Sequence, residues 1–217
     1  MTGDHSGNLI GLPKAQAALF AITAAWSLIC LLDTPYPALA PLQNLPTLAI
    51  IAILVWLARK PTLPTSAIAC TCLFLALHAL GGRYIYSYVP YDAWAQTMGL
   101  PEPGKLLGLQ RNSYDRVVHF GFGLLWVHPI SSWLNRRWGI SLRLATYIAV
   151  EFVLAGSALY EIFEWLLTLS MAGPDADAYN GQQGDVWDAQ KDMACATVGA
   201  FSAATLLMLQ RLLQRGD

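Results

Sequence analysis

Long apolar runs, broken by short polar or proline-bearing joints, dominate this sequence and restrict what it can fold into. In hydrocarbon no water satisfies backbone N–H and C=O groups, so a spanning segment must be a helix or a strand of a closed barrel. The runs are continuously apolar rather than alternating, and several approach the roughly 20 residues that a helix needs to cross a bilayer. The expected fold is all-α: a polytopic transmembrane helix bundle of about six spans. The spans read as 15–32, 45–58, 65–80, 114–134, 142–170 and 186–210. The second and third are short for a full crossing, which leaves them tilted in the bundle or partly surface-lying. Pro46 and Arg59-Lys60-Pro61 bound the second, Gly81-Gly82 the third and Gly173-Pro174 the fifth, while Pro129 is placed to kink the fourth.

Charge supports the same class. Only 12% of residues are charged, against about a quarter in soluble domains. The net charge of -1 provides no basic face for nucleic acid. No repeat or low-complexity tract divides the chain, so 1–217 reads as a single integral membrane domain. Cys30, Cys70, Cys72 and Cys195 all fall in apolar runs and suit small buried hydrophobes rather than metal or disulfide frameworks. The first run is longer than a signal-peptide core, and Pro41 spoils the cleavage-like Ala38-Leu39-Ala40, so it is expected to be a retained helix. Lys14, Arg59-Lys60, Arg136-Arg137, Arg143, Arg211 and Arg215 fall on one side and Arg83, Lys105, Arg111, Arg116 and Lys191 on the other. The stronger basic bias, judged in the short loops, makes the first side the cytoplasm and puts both termini there.

Within the greasy segments, three pieces carry acids and histidine at helical spacing: Asp115 with His119, Glu161 with Glu164, and Asp185 with Asp188 and Asp192. Residues three or four apart share a helix face. The alternating spans deliver these groups, with His78 near the end of the third span, to one depth at the outer leaflet. An ionised group in hydrocarbon is costly and usually faces a protein interior or a wet cavity. Carboxylates and imidazoles projected from neighbouring helices build metal sites in helical bundles. His119, Glu161, Glu164, Asp188 and Asp192 are the candidate ligands, and Mg, Mn or Zn would suit their oxygen and nitrogen donors. Asp115, His119, Glu161 and Glu164 are the candidate catalytic groups, with Asp115 orienting His119. Arg83 and Arg116 could grip a lipid phosphate, since guanidinium forks match phosphate oxygens. His78 and Asp185 are further candidates. Plainer roles stand beside these. Asp185 fits an N-cap, Asp115 a first-turn acid and Lys191 a local counter-charge. The aromatic loop of Tyr84, Tyr86, Tyr88, Tyr91 and Trp94 fits an interfacial anchor as well as a lid. Glu161 and Glu164 also fit hydrogen-bonded glue between helices, and His128 beside Pro129 fits a structural role at a kink.

The segments Asp115-Arg116-x-x-His119-Phe120, Tyr160-Glu161-x-x-Glu164-Trp165 and Gly184-Asp185-x-Trp187-Asp188-x-Gln190-x-Asp192 resemble the YjdF-type bacterial inner-membrane family, of unknown function. The resemblance covers about 83–200 and implies a multi-pass protein of the bacterial inner membrane. The order of motifs is also similar, more distantly, to VanZ-like proteins, with Arg116 replacing a lysine and Gly199-Ala200 supplying a small pair. That likeness implies a role in the cell envelope. Neither family supplies a reaction, and two functional readings remain open. One is metal-assisted hydrolysis or transfer on a lipid-linked phosphate. The other is a non-catalytic envelope ligand-binding or proton-coupled transport protein, for which Glu151 hints at a deeper polar path.

Overall fold

The computed structural model describes residues 12–58, 63–170 and 181–214. These residues form helices α1 (Lys14–Leu31), α2 (Ala40–Ala58), α3 (Thr65–Arg83), α4 (Tyr91–Thr97), α5 (Pro103–Leu106), α6 (Tyr114–Trp138), α7 (Leu142–Ser170) and α8 (Asp188–Leu213). No strand occurs among the described residues. Five of the helices, α1, α3, α6, α7 and α8, are long and apolar enough to cross a membrane. The sixth expected span is α2, whose shorter apolar stretch is Thr47–Trp56. It starts at Ala40, ahead of Pro46, the expected boundary, so the proline falls inside the helix, where neighbouring helices support the weakened backbone. Arg59-Lys60-Pro61, Gly173-Pro174 and Arg215 lie outside the described residues.

The bundle has two halves. Phe20, Ile51, Leu54, Ile68 and Leu75 bury the apolar faces of α1, α2 and α3 against one another. The chain direction of α1 matches that of α3, since Gln16 at the start of α1 donates to the Leu63 carbonyl at 3.3 Å. Further along, the Trp26 indole donates to the Ala76 carbonyl at 3.0 Å. The second half is α6, α7 and α8, closed over Val127, Ala149, Val153, Ala196 and Ala200. Helix α6 joins the halves because it packs on α3 as well as on α7 and α8. At the end of the bundle away from the three motifs, the His128 ring meets the Ser66 hydroxyl at 2.9 Å and the Ser132 hydroxyl at 3.2 Å, tying α3 to α6.

The closest approach is between α6 and α8. A Cβ on Gly123 would run into the Ala196 carbonyl, and one on Gly199 into the Phe120 carbonyl. Small residues let two backbones touch where bilayer lipid offers no hydrophobic drive to associate. This contact holds α6 and α8 together near their middles, about one to two turns beyond the acidic groups. Helix α6 continues past Pro129 to Trp138 and stops at Gly139, whose φ of 66° is the left-handed conformation glycine adopts without strain.

The loop 84–113 covers the end that carries the motifs. Ile85 and Tyr86 take positive φ values of 44° and 58°, which turns the chain back so that Tyr86 N–H donates to the Gly81 carbonyl at 2.8 Å. Gly81 leaves room for the returning Tyr86 ring. The Tyr86 hydroxyl then reaches His78 Nδ1 on α3. Tyr36 stacks on Tyr88 at 5.4 Å and Tyr84 meets Trp94 edge-on at 5.9 Å.

Candidate functional site

The first turns of α6 and α8 and the last turns of α7 bring the three motifs together in two tiers. The outer tier is a closed ion-pair network. Arg111, just before α6, donates to Asp115 Oδ2 at 2.6 Å and to the Gly181 carbonyl at 3.0 Å, and it pairs with Asp188. Arg116 donates to Asp185 Oδ2 at 2.6 Å and to Asp188 Oδ1 at 3.3 Å. Lys191 donates to both oxygens of Asp185, at 2.7 and 2.9 Å. Three cations thus meet three carboxylates. The Lys191 ammonium holds the Asp185 carboxyl well below the usual carboxylate range, with help from the Trp187 N–H and Arg116. Asp185 is not the N-cap that its position suggests. Helix α8 starts at Asp188 after Trp187, and Asp185 accepts the Trp187 N–H at 3.1 Å from outside the helix.

The inner tier lies one turn further into the bundle and holds His119, Glu161, Glu164 and Asp192. His119 Nε2 is 3.4 Å from Glu161 Oε1, and its Nδ1 is 3.5 Å from the Ser157 hydroxyl. Tyr160 meets the imidazole edge-on at 5.8 Å and hydrogen-bonds Glu164. Glu161 Oε1 and Asp192 Oδ1 are buried without a hydrogen-bond partner. Their side chains are 9% and 5% exposed. The cation nearest Asp192 is Arg116, whose Nε stands off at 3.9 Å. One donor atom from each of His119, Glu161 and Asp192 lies within 4.8 Å of the others. Asp115, Asp188 and Asp192 satisfy the same distance. In that second set, however, Arg111 and Arg116 already neutralise two members. The inner set is therefore the better place for an added cation.

A cavity of about 270 Å³ opens beside the inner tier. His78, Asp115, His119, Glu164 and Asp192 border its polar end, and Phe74, Phe122 and Gly156 border the other.

Asp115, Arg116, His119, Glu161, Glu164, Asp185, Asp188 and Asp192 thus all come together, as their spacing suggests. Their roles shift. Asp115 pairs with Arg111 instead of orienting His119, whose ring nitrogens face Glu161 and Ser157. Arg83 is not part of the cluster. Its guanidinium donates to the Leu32 carbonyl at 2.6 Å and the Asp33 carbonyl at 3.0 Å, closing the end of α1. Glu151 is exposed on α7 and does not line the cavity. Arg111 and Ser157 are the participants that spacing alone passes over. Ser157, Tyr160, Glu161 and Glu164 form one helical stripe, so Ser157 could have been found by extending the glutamate pair by a turn.

Comparison with known proteins agrees with this architecture. The family described as "Predicted membrane protein (DUF2238)" matches residues 13–212, so it takes in the N-terminal helices as well as the three motifs. The Inner membrane protein YjdF of Escherichia coli (strain K12) is 35% identical over 167 residues, which is 75% of this chain and 74% of that protein. No solved structure matches the chain. The likeness to VanZ-like proteins rests on the order of the motifs alone. With its family match, its relative and its spanning helices, the chain belongs to the DUF2238 family and is a multi-pass protein of the bacterial inner membrane.

Proposed function

We propose that the protein binds a divalent cation, Mg, Mn or Zn, through His119, Glu161 and Asp192, and uses it in hydrolysis or transfer on a lipid-linked phosphate. One observation carries this reading. Once Arg111, Arg116 and Lys191 are matched to Asp115, Asp185 and Asp188, no cation among the described residues is in hydrogen-bond contact with Glu161, Glu164 or Asp192 inside the bundle, and the Arg116 Nε stands 3.9 Å from Asp192. Buried carboxylates of this kind need a compensating cation or a proton. The imidazole and the two orphaned oxygens are the donors that would hold such an ion. With the basic end of the bundle in the cytoplasm, the site sits at the outer leaflet.

A bound ion of this kind would polarise a phosphoryl oxygen and make a bound water more acidic. The chain's own contribution is positional. Ser157 and Tyr160 fix the imidazole, and Glu164 stands at the cavity wall, where a carboxylate would serve as the general base or acid of the proposed reaction. Arg116 is spent on Asp185 and Asp188, so phosphate would be held through the ion rather than by the arginine fork expected from sequence.

The competing reading as a proton-coupled transporter needs a polar route to the far end. Phe74 and Phe122 line the inner part of the cavity, and Glu151 lies on the exposed face of α7, so the observations favour the first reading. The test is phosphate release from a polyprenyl phosphate or pyrophosphate by detergent-purified protein loaded with Mg, Mn or Zn. Release should disappear with chelator and in Glu164→Gln, with helical circular dichroism unchanged. Metal-loaded, folded protein that releases none would overturn the catalytic reading in favour of non-catalytic ligand binding.

A further inference from the structure

The cavity reaches well beyond the acidic end. Gly156 and Glu164 of α7 both line it, and the eight-residue step from one to the other corresponds to about 12 Å along a helix axis. The space is therefore a slot with imidazole and carboxylates at one end and Phe74, Phe122 and Ile50 at the other. Gly156 lies at the middle of α7 (Leu142–Ser170), so the apolar end of the slot is at mid-bilayer depth.

Two further observations place an opening at that depth. No Cα of α7 comes within 8 Å of α2 or α3 among the described residues. Yet Ile50 of α2, Phe74 of α3 and Gly156 of α7 line the same cavity. Packed helices run with axes about 8–10 Å apart and bring some Cα atoms closer than that, so α7 stands off from the first half of the bundle. Ile50, in the middle of α2, forms part of the slot wall and is also 36% exposed. A wall residue open to the outside at mid-helix marks a lip facing lipid rather than an aqueous mouth.

We infer that the slot is entered sideways from the bilayer, between α2 and α7, and that it holds a single hydrocarbon chain of a phosphate-bearing amphiphile whose head lies against His119 and Asp192. The phosphate head rests on the reading proposed above, whereas the chain slot rests on its walls alone. A volume of about 270 Å³ is close to the roughly 300 Å³ of the smallest ligand pockets, which suits one slender chain better than a pair. Gly156 sets the width, because an added Cβ would stand 3.2 Å from Phe122 Cζ and any larger side chain would fill the gap between them.

The probe is decyl phosphate, whose extended chain matches the slot, carrying a diazirine near the chain end and photolysed with the full-length, detergent-purified protein. Labelled residues are mapped by peptide mass spectrometry, and metal is measured by elemental analysis of the same sample. Label should concentrate on Ile50, Phe74 and Phe122. Gly156→Leu and Ile50→Trp should each reduce it on the order of tenfold, the size expected for filling a fitted space, without changing metal content. Ile50→Trp guards against misfolding, since the Ile50 side chain is partly exposed. Label spread over outward-facing Phe152 and Leu159, or unchanged in both variants, would overturn the slot. Slot labelling without bound metal would support the slot and overturn the metal reading.

Discussion

Arg111 holds the outer tier together, with Asp115 on one side and Asp188 on the other, and its side chain is only 7% exposed. Removing one partner of a buried ion pair strands the others. Arg111→Ala should therefore destabilise the protein by about 3–5 kcal/mol, and Arg111→Lys should restore only part of that because an ammonium cannot fork. Thermal unfolding in detergent checks the order wild type, lysine, alanine. This residue also shows where reading the sequence stops. The pairs Asp115 with His119 and Glu161 with Glu164 are legible because they are local on one helix. Arg111 and Asp188 are 77 residues apart, and only the packing of α6 on α8 brings them together. Arg83 misleads for the opposite reason: its place beside the aromatic loop suggests a ligand role, while its reach is taken by the open carbonyls of α1.

At the scale of elements, the helices were legible because continuous apolar runs in hydrocarbon leave the backbone little choice. Their ends were less so. Pro46 reads as a boundary, yet α2 begins ahead of it, because neighbouring helices support a locally weakened backbone. The Gly123–Gly199 contact, visible in the sequence only as a small pair at Gly199-Ala200, sets the depth at which the inner tier forms. Gly199→Leu should force α6 and α8 apart, at a cost of about 1–3 kcal/mol or more, and should loosen the site with it. The expected result is a lower unfolding temperature and loss of metal, whereas Ser202→Leu on the same helix, away from the close contact, should keep both near wild type.

For the whole molecule, a site at the outer leaflet requires its end of the bundle to face away from the cytoplasm. The native cysteines all sit in apolar helices, so a single added thiol can report each side. Lys105→Cys, in the loop over the site and highly exposed, should react with a membrane-impermeant maleimide on intact spheroplasts. Arg137→Cys, at the opposite end of α6, should react only after lysis. The reverse pattern would place the acid cluster on the cytoplasmic side. The bundle was legible in the sequence from apolar length, and its polar end from the acids and histidine at helical spacing. The separation of the acids into a neutralised tier and an uncompensated one was not, because it depends on which arginine reaches which carboxylate.

The ion held by the inner tier is measured by elemental mass spectrometry of the detergent-purified protein, after loading with Mg, Mn and Zn and removal of excess ion. Wild-type protein should carry close to one divalent ion per chain, and a folded His119→Ala, Asp192→Asn variant should carry almost none. No bound ion in the wild type, or equal amounts in both, would contradict a metal site at His119, Glu161 and Asp192.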